Sequence, residues 1–539
     1  MVDSTINYFA QTDFRGKHIP FGIKGEDRAR HVYVIGKTGM GKSCLLLLEN
    51  MAVPDIQNGE GMAFIDPHGK SADLLLDFVP EARMKDVIYF APFDLEHPIS
   101  FNIMEDVGAD QRHLVANGLM SSFKKIWPDV WSSRMEYILN NCLLALLEYP
   151  DSTLLGVNRL LSDKDYRKLV VDNITDPSVR SFWLDEFAKY NERYMQEAGD
   201  AIKNKIGQFT ANPLIRNIIG QTKSSFNLRE AMDNKKILIV NLSKGRLGEQ
   251  NANLLGGILI TKIYLAAMSR AGAGAGISKL PHFYVFVDEF QSFVNESFAD
   301  ILSEARKYKL SLTIAHQYVE QMPEEVRNAV FGNIGTTIAF RVGPFDAELL
   351  EKIFLPTFTQ EDLVNLGFAQ IYLTLMIDGV GSSPFSAVTL PPIVPTNVSI
   401  TDKIIANSQK VYASPREKVE ANINTWFEPV VKFIAKTAPI KPLPTTVIKK
   451  SPMTVVGNAP APVFTSTPKP IVPPKSFSLN ILKNKTPEIN KNKDELKAFL
   501  SEIMANKKPK LVSPTTVIKK ETKEIPQEVL EDLLKIKPD

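Results

Sequence analysis

Cysteine is nearly missing from this chain: two in 539 residues, Cys44 and Cys142, each inside an apolar helical run. That excludes a disulfide framework and a cysteine-built metal centre, and it suits a reducing compartment. An excess of charge of one sign is missing too. The net value is +2, so any contact with nucleic acid must come from local patches rather than from the whole surface. No signal peptide is expected at the start of the chain. The longest apolar window, Leu254 to Met268, is interrupted by Lys262 and is short for a bilayer span. The expectation is a soluble, cytoplasmic protein.

Arginine and tryptophan disappear after residue 427. From Glu428 to Asp539 there are 20 lysines, no arginine and 11 acidic residues, a local charge of +9, together with 16 of the 35 prolines. Such a stretch cannot bury a core and reads as a disordered tail. Within it Pro444-Thr445-Thr446-Val447-Ile448-Lys449-Lys450 recurs as Pro514 to Lys520. Two short apolar patterns, Glu495 to Met504 and Gln527 to Ile536, read as helices that form on a partner, or else the segment is a plain solvated tether.

What is present begins with Val32-Tyr33-Val34-Ile35, a β-favouring run leading into Gly36-Lys37-Thr38-Gly39-Met40-Gly41-Lys42-Ser43 and then an apolar helix. Strand, Gly-x-x-x-x-Gly-Lys-Ser and helix is the order a phosphate-binding loop requires. Glycines let the backbone aim its N–H groups at a polyphosphate, and the helix N-terminus adds its positive end. Lys42 is expected to reach the β/γ-phosphates of ATP, and the Ser43 hydroxyl to hold Mg²⁺.

Further strands are expected at Phe21-Gly22-Ile23 (an edge), Met62 to Ile65, Val87 to Phe90 and Ile237 to Asn241. Asp66 or His68, at the end of the second of these, either caps the next helix or belongs to the ligand crevice. Phe283 to Val287 is an apolar strand ending in Asp288-Glu289. There Asp288 can hold Mg²⁺ through water, and Glu289 can orient or deprotonate the attacking water. A helix from Ser297 to Tyr308 leads to the strand Leu310 to Ala315, which delivers His316 and Gln317 to the same edge. Runs at Thr336 to Val342 and Gln370 to Met376 continue the sheet. Strands alternating with helices imply a parallel, buried sheet.

Residues 1–30 read as a polar lead-in, Gln250 to Ser269 as a long helix and Ala271 to Gly276 as a flexible run. Between residues 107 and 230 apolar residues recur at helical spacing, as in Met135 to Leu147 and Glu197 to Phe209, and β-rich runs are absent. The expected organisation is a nucleotide-binding domain in two parts, 1–106 and 231–405, around an all-helical insertion at 107–230. A closing helix at 406–427 and the tail at 428–539 follow.

These segments together resemble the FtsK–HerA superfamily of P-loop ATPases, and most of all the coupling ATPases of type IV secretion and conjugation. The matching stretches are Gly36 to Ser43, Phe64 to Gly69, Asn241 to Arg246, Val287 to Phe290, Ser303 to Gln317, Ile338 to Glu348 and Arg416 to Trp426. The resemblance implies a RecA-like α/β motor, assembled as a homo-oligomeric ring, a hexamer, around DNA. It also implies that Gln317 senses the γ-phosphate and that Arg306 is supplied to a neighbouring subunit's nucleotide, with Arg341 a second candidate. An arginine finger spreads positive charge over the transferring phosphoryl group. A surface salt bridge is the plain alternative for both arginines.

Membrane-anchored members of that family begin with transmembrane helices, which this chain is expected to lack. Recruitment to the inner face of the membrane, to a secretion-channel protein or to a relaxosome protein would then fall to the tail. The first functional expectation is an ATP-driven DNA translocase. The alternatives are a secretion ATPase acting on protein or channel assembly, and a DNA packaging or repair motor of the same superfamily.

Overall fold

The computed structural model describes residues 6–429 except 106, 296–297 and 396–398. From residue 430 on, the expected tail, with its repeat and the two short helices expected there, lies outside the described residues. The strands are β1 (Ile6–Thr12), β2 (Pro20–Lys24), β3 (Val32–Ile35), β4 (Gly61–Asp66), β5 (Val87–Phe90), β6 (Ile237–Asn241), β7 (Phe283–Val287), β8 (Leu310–His316), β9 (Thr336–Ala339), β10 (Gln370–Thr374), β11 (Met376–Ile377), β12 (Val380–Gly381) and β13 (Phe385–Thr389). All but β11 and β12, which pair with each other, join one sheet in the order β2-β1-β13-β10-β9-β3-β8-β7-β4-β6-β5.

From β9 to β5 every pairing is parallel. In β3, Val32 lies opposite Thr313 of β8 and Thr336 of β9. The remaining four strands run antiparallel. The fold is therefore α/β with a mostly parallel sheet, as expected, and the antiparallel part begins at β10. The chain between β9 and β10 folds into the helices Pro344–Phe354 and Gln360–Val364 before it returns in the opposite direction.

The parallel part of the sheet is buried on both faces, and strict alternation decides which residue meets which layer. Tyr33, Ile35, Ala63 and Ile65 face the layer that contains the helices between β5 and β6. Val32, Val34, Met62 and Phe64 face the helix after the phosphate loop (Lys42–Ala52), joined by Leu75 and Leu76 of the helix Lys70–Leu76. Two covered faces explain why these strands are unbroken apolar runs.

The chain between β5 and β6 folds into helices, among them Arg112–Ile126, Ser133–Glu148, Lys164–Asn173, Glu192–Ala211 and Pro213–Ile219. Ser132, Asp163 and Asn212 each accept a first-turn backbone N–H, satisfying donors that a helix start leaves open. Helix Arg416–Trp426 buries Val419 and Ile423 against Leu155. The Arg159 guanidinium lies 4.8 Å from the ring centre of Tyr166 and 5.0 Å from that of Trp426, tying this helix to the others.

Several local expectations are corrected. The lead-in contains β1, whose only strongly apolar inward residue is Phe9, too little to signal a strand alone. Ala271 to Gly276 lies inside a run of tight helical turns, Ser269–Lys279, with Gly274 at φ +52°. The helix expected over Ser297 to Tyr308 is Phe298–Glu304 followed by a tighter turn, Ala305–Tyr308, that ends on Lys309 at φ +60°. The strand expected to reach Val342 stops at Ala339. A helix that the sequence did not signal, Thr401–Tyr412, crosses the expected boundary at 405.

The segment Glu249–Lys279 is apolar and long enough to cross a membrane by length and composition, beyond the window seen in the sequence, and 72% of its most apolar window is buried inside the fold. Cys142 is free and buried, and burial pushes its thiol pKa up, as suits a small apolar core residue.

Candidate nucleotide site at the carboxyl ends of the strands

The phosphate loop is pinned at both flanks. Gly36 N–H donates to the His316 carbonyl at 3.3 Å, and Lys37 N–H to the Arg341 carbonyl at 2.8 Å. A Cβ on Gly36 would stand 2.5 Å from Phe340 Cβ, so only glycine lets the chain pass there. Gly41 has φ +107° and turns the chain into the helix, whose first turn closes with an i→i−5 bond from Leu46 N–H to Gly41 O, 3.1 Å.

Lys42 is 4% exposed, and its ammonium donates to the Lys37 carbonyl at 3.1 Å, across the concavity of the loop. Burial lowers its pKa, while the charges of Glu289 and Asp288 oppose that. A buried cation on a neutral carbonyl is poorly compensated, and a phosphate is a better partner.

The two carboxylates follow β7. Asp288 is buried, its N–H donates to the Ile65 carbonyl at 3.1 Å, and its carboxylate lies near the Ser43 hydroxyl. Burial above all holds it up at a pKa of about 6, with Asp66 and Glu289 adding to the effect and the nearby Ser43 hydroxyl working against it. Ser43 and Asp288 thus form an oxygen pair beside the loop. Among the described residues no group of three or more His, Cys, Asp or Glu could cage a metal. That set suits Mg²⁺, which keeps waters and takes substrate phosphates as ligands, with few from the protein.

Glu289 sits at φ +48°, ψ +50°, a strained conformation for a non-glycine residue. Its Oε1 accepts from the Gln317 side-chain amide and its Oε2 from that of Gln291. The Gln317 carbonyl oxygen in turn accepts the Thr38 hydroxyl at 3.0 Å. A continuous chain therefore runs from the phosphate loop through Gln317 to Glu289. Gln291 escapes sequence reasoning, since its only signal is its place two residues after Glu289.

Asp66 acts as a cap: its Oδ1 accepts His68 N–H at 2.7 Å, and its Oδ2 accepts Ser71 and Ala72 N–H at 2.8 and 3.0 Å. His68 is exposed. His316 is fully buried, with Nδ1 3.3 Å from the Tyr33 hydroxyl, and burial beside Lys42 and Lys125 brings its pKa down to about 3. It is a neutral core histidine beneath the loop.

The two arginines part company. Arg341 is half-buried, and its backbone carbonyl touches the loop. Arg306 is exposed at the other end of the strands, in the turn before β8, close enough to His31 for its charge to help depress that ring. His31 precedes β3 and the phosphate loop follows it, so a strand's length, roughly 13 Å, separates Arg306 from its own loop. A cleft of about 1030 Å³ also opens at that far end. Its charges are largely paired, as in Arg28–Asp55 and Lys235–Glu60.

A glycine-rich loop between a central parallel strand and its helix, with an acidic pair from the next strand but one, defines a P-loop NTPase. The chain matches the family described as Type IV secretory system Conjugative DNA transfer over residues 7–334, and it belongs to that family. Among solved structures it is similar to the bacterial conjugative coupling protein TrwBdeltaN70 in its unbound form (13% identity, 72% of this chain and 91% of that one, TM-score 0.49). It is also similar to the plasmid coupling protein TrwB in complex with ADP and Mg²⁺ (15%, 71% and 90%, 0.48) and to VirB4 of Thermoanaerobacter pseudethanolicus (13%, 73% and 98%, 0.48). No curated protein matches the sequence.

Proposed function

We propose that this protein is an ATP-driven DNA translocase of the conjugative coupling kind, working as a homo-oligomeric ring, a hexamer, that tracks the DNA backbone. The observation that carries the reading is the line Thr38–Gln317–Glu289 beside the Ser43–Asp288 pair, within a member of the conjugative DNA transfer family. ATP would lie on the backbone N–H groups of Gly36 to Lys42, with the Lys42 ammonium leaving the Lys37 carbonyl for the phosphates. Ser43 and Asp288 would hold Mg²⁺, which when bound neutralises charge on the β- and γ-phosphates.

Glu289 takes the proton of the attacking water once Gln317 turns from its carboxylate to the γ-phosphate. In this scheme Arg306 serves the neighbour's nucleotide and Arg341 borders its own. Residues 107–230 form a helical insertion into the motor. Residues 428–539 act as the tether to a secretion-channel or relaxosome protein at the inner face of the membrane.

The test is ATP turnover with and without duplex and single-stranded DNA, at two salt concentrations. DNA should stimulate turnover regardless of its sequence, and the stimulation should weaken as salt rises, because phosphate contacts release counterions. Turnover indifferent to both DNA forms would overturn the reading in favour of a motor acting on protein.

A further inference from the structure

Glu289 has a second amide partner whose backbone is held from the helical layer. Gln291 lies in the tight turn Phe290–Ser292, fixed by Ser292 N–H donating to the Glu289 carbonyl at 2.9 Å and by Phe290, which is fully buried against Phe298 with ring centres 4.5 Å apart. Its side-chain N–H₂ donates to Glu289 Oε2, while its own Oε1 is buried without a partner among the described residues. An unpartnered buried acceptor is unfavourable, so the carboxylate dictates which way this amide points.

The Gln291 backbone carbonyl accepts the Lys125 ammonium at 2.8 Å, and the next residue, Ser292, accepts Lys244 at 2.9 Å through its hydroxyl. Lys125 belongs to the helix Arg112–Ile126, in the layer on one face of the sheet. Burial and the nearby Lys244 both lower its pKa. An amine kept under those conditions is a fixed strut rather than a solvated surface group.

We propose that Gln291 is the positioning residue for the catalytic carboxylate, and that Lys125 holds Gln291 so that the helical layer sets the pose of Glu289. When Gln317 leaves Oε1 for the γ-phosphate, the Gln291 bond to Oε2 keeps the carboxylate aimed, and the freed oxygen faces the water. A shift of the helix Arg112–Ile126 would pull on the Gln291 carbonyl and misalign the base without touching the nucleotide. The inference rests on the hydrolytic role given to Glu289 above.

The experiment compares Gln291→Met, Gln291→Glu, Lys125→Met and the Gln291→Met/Lys125→Met double variant in the full chain, by steady-state ATP turnover and by nucleotide titration. Methionine keeps the length and loses the donor; glutamate keeps the shape and loses the donor. Both should lower kcat by about 10²-fold, the scale of an ångström of misplacement, and leave nucleotide affinity unchanged. Lys125→Met should lower kcat by less and add nothing on top of Gln291→Met, because it acts only through Gln291.

Should the methionine variant not fold, the glutamate variant decides. Turnover retained in whichever of the two folds would overturn the positioning role, and full multiplication of the two single effects would overturn the Lys125 link. Glu289→Gln is the separate control. If that variant hydrolyses ATP normally, the hydrolytic reading itself fails, whatever the others do.

Discussion

Gln317 joins the phosphate loop to the acidic pair: its amide donates to Glu289, and its carbonyl accepts the Thr38 hydroxyl at 3.0 Å. The side chain thus spans two parts of one site and can exchange one partner for a γ-phosphate.

That relationship separates two variants by what they leave intact. Glu289→Gln should bind ATP normally and lose about 10²–10⁴-fold in turnover, the range that general-base catalysis contributes. Gln317→Ala should also bind ATP, since the loop, Lys42 and Ser43 remain, yet turn over slowly because nothing reports the γ-phosphate. Nucleotide titration and single-turnover hydrolysis check both. Loss of ATP binding in Gln317→Ala would mean that it serves the loop's structure instead.

A second expectation concerns acid. His31 is buried, its Nε2 donates to the Leu302 carbonyl at 3.2 Å, and its Nδ1 accepts Leu312 N–H at 3.1 Å. Burial first, with the Arg306 charge adding, brings its pKa from 6.5 down to about 4. Between those pH values the unfolded chain binds the proton and the folded chain does not, so stability rises with pH across that window. On acidification the loss from this one ring is about 3 kcal/mol. His31→Gln, which offers the same donor and acceptor without a titrating group, should flatten the dependence of the urea midpoint on pH between 6.5 and 4. An unchanged slope would assign the acid sensitivity to other groups.

The site was legible where its chemistry depends on neighbours in sequence, and obscure where it depends on the sheet. Gly36 to Ser43 and Asp288-Glu289 announce themselves because a phosphate loop and an apolar strand ending in carboxylates are local patterns. The α/β class with a mostly parallel sheet was legible for the same reason, in the unbroken apolar runs of β3, β4 and β7. β1 was not, because its partners are β2 and β13, and a strand half covered by a distant neighbour needs few apolar residues. Nor was the choice at Asp66, where a carboxylate at a strand end can serve a ligand or a helix. Only its bonds to Ser71 and Ala72 decide for the helix. Gln291 and Lys125 are 166 positions apart and meet through tertiary packing alone.

The last expectation concerns Arg306. It is exposed and stands at the amino end of β8, whereas Lys42, Glu289 and Gln317 gather at the carboxyl ends of the strands. Its own γ-phosphate is out of reach, so a catalytic role requires a second subunit. Arg306→Ala should bind ATP almost normally and hydrolyse it slowly, since a missing finger can cost on the order of 10³–10⁵ in rate. Lys42→Ala should fail for the opposite reason, losing the cation that meets the phosphates. Mixing the two proteins creates interfaces that pair an intact loop from the Arg306→Ala subunit with an intact arginine from the Lys42→Ala subunit. Turnover of the mixture should therefore exceed that of either parent and pass through a maximum as the ratio is varied. If the two proteins are shown to co-assemble and the mixture never rises above its parents, Arg306 is a surface residue and the finger lies elsewhere, with Arg341 the next to test.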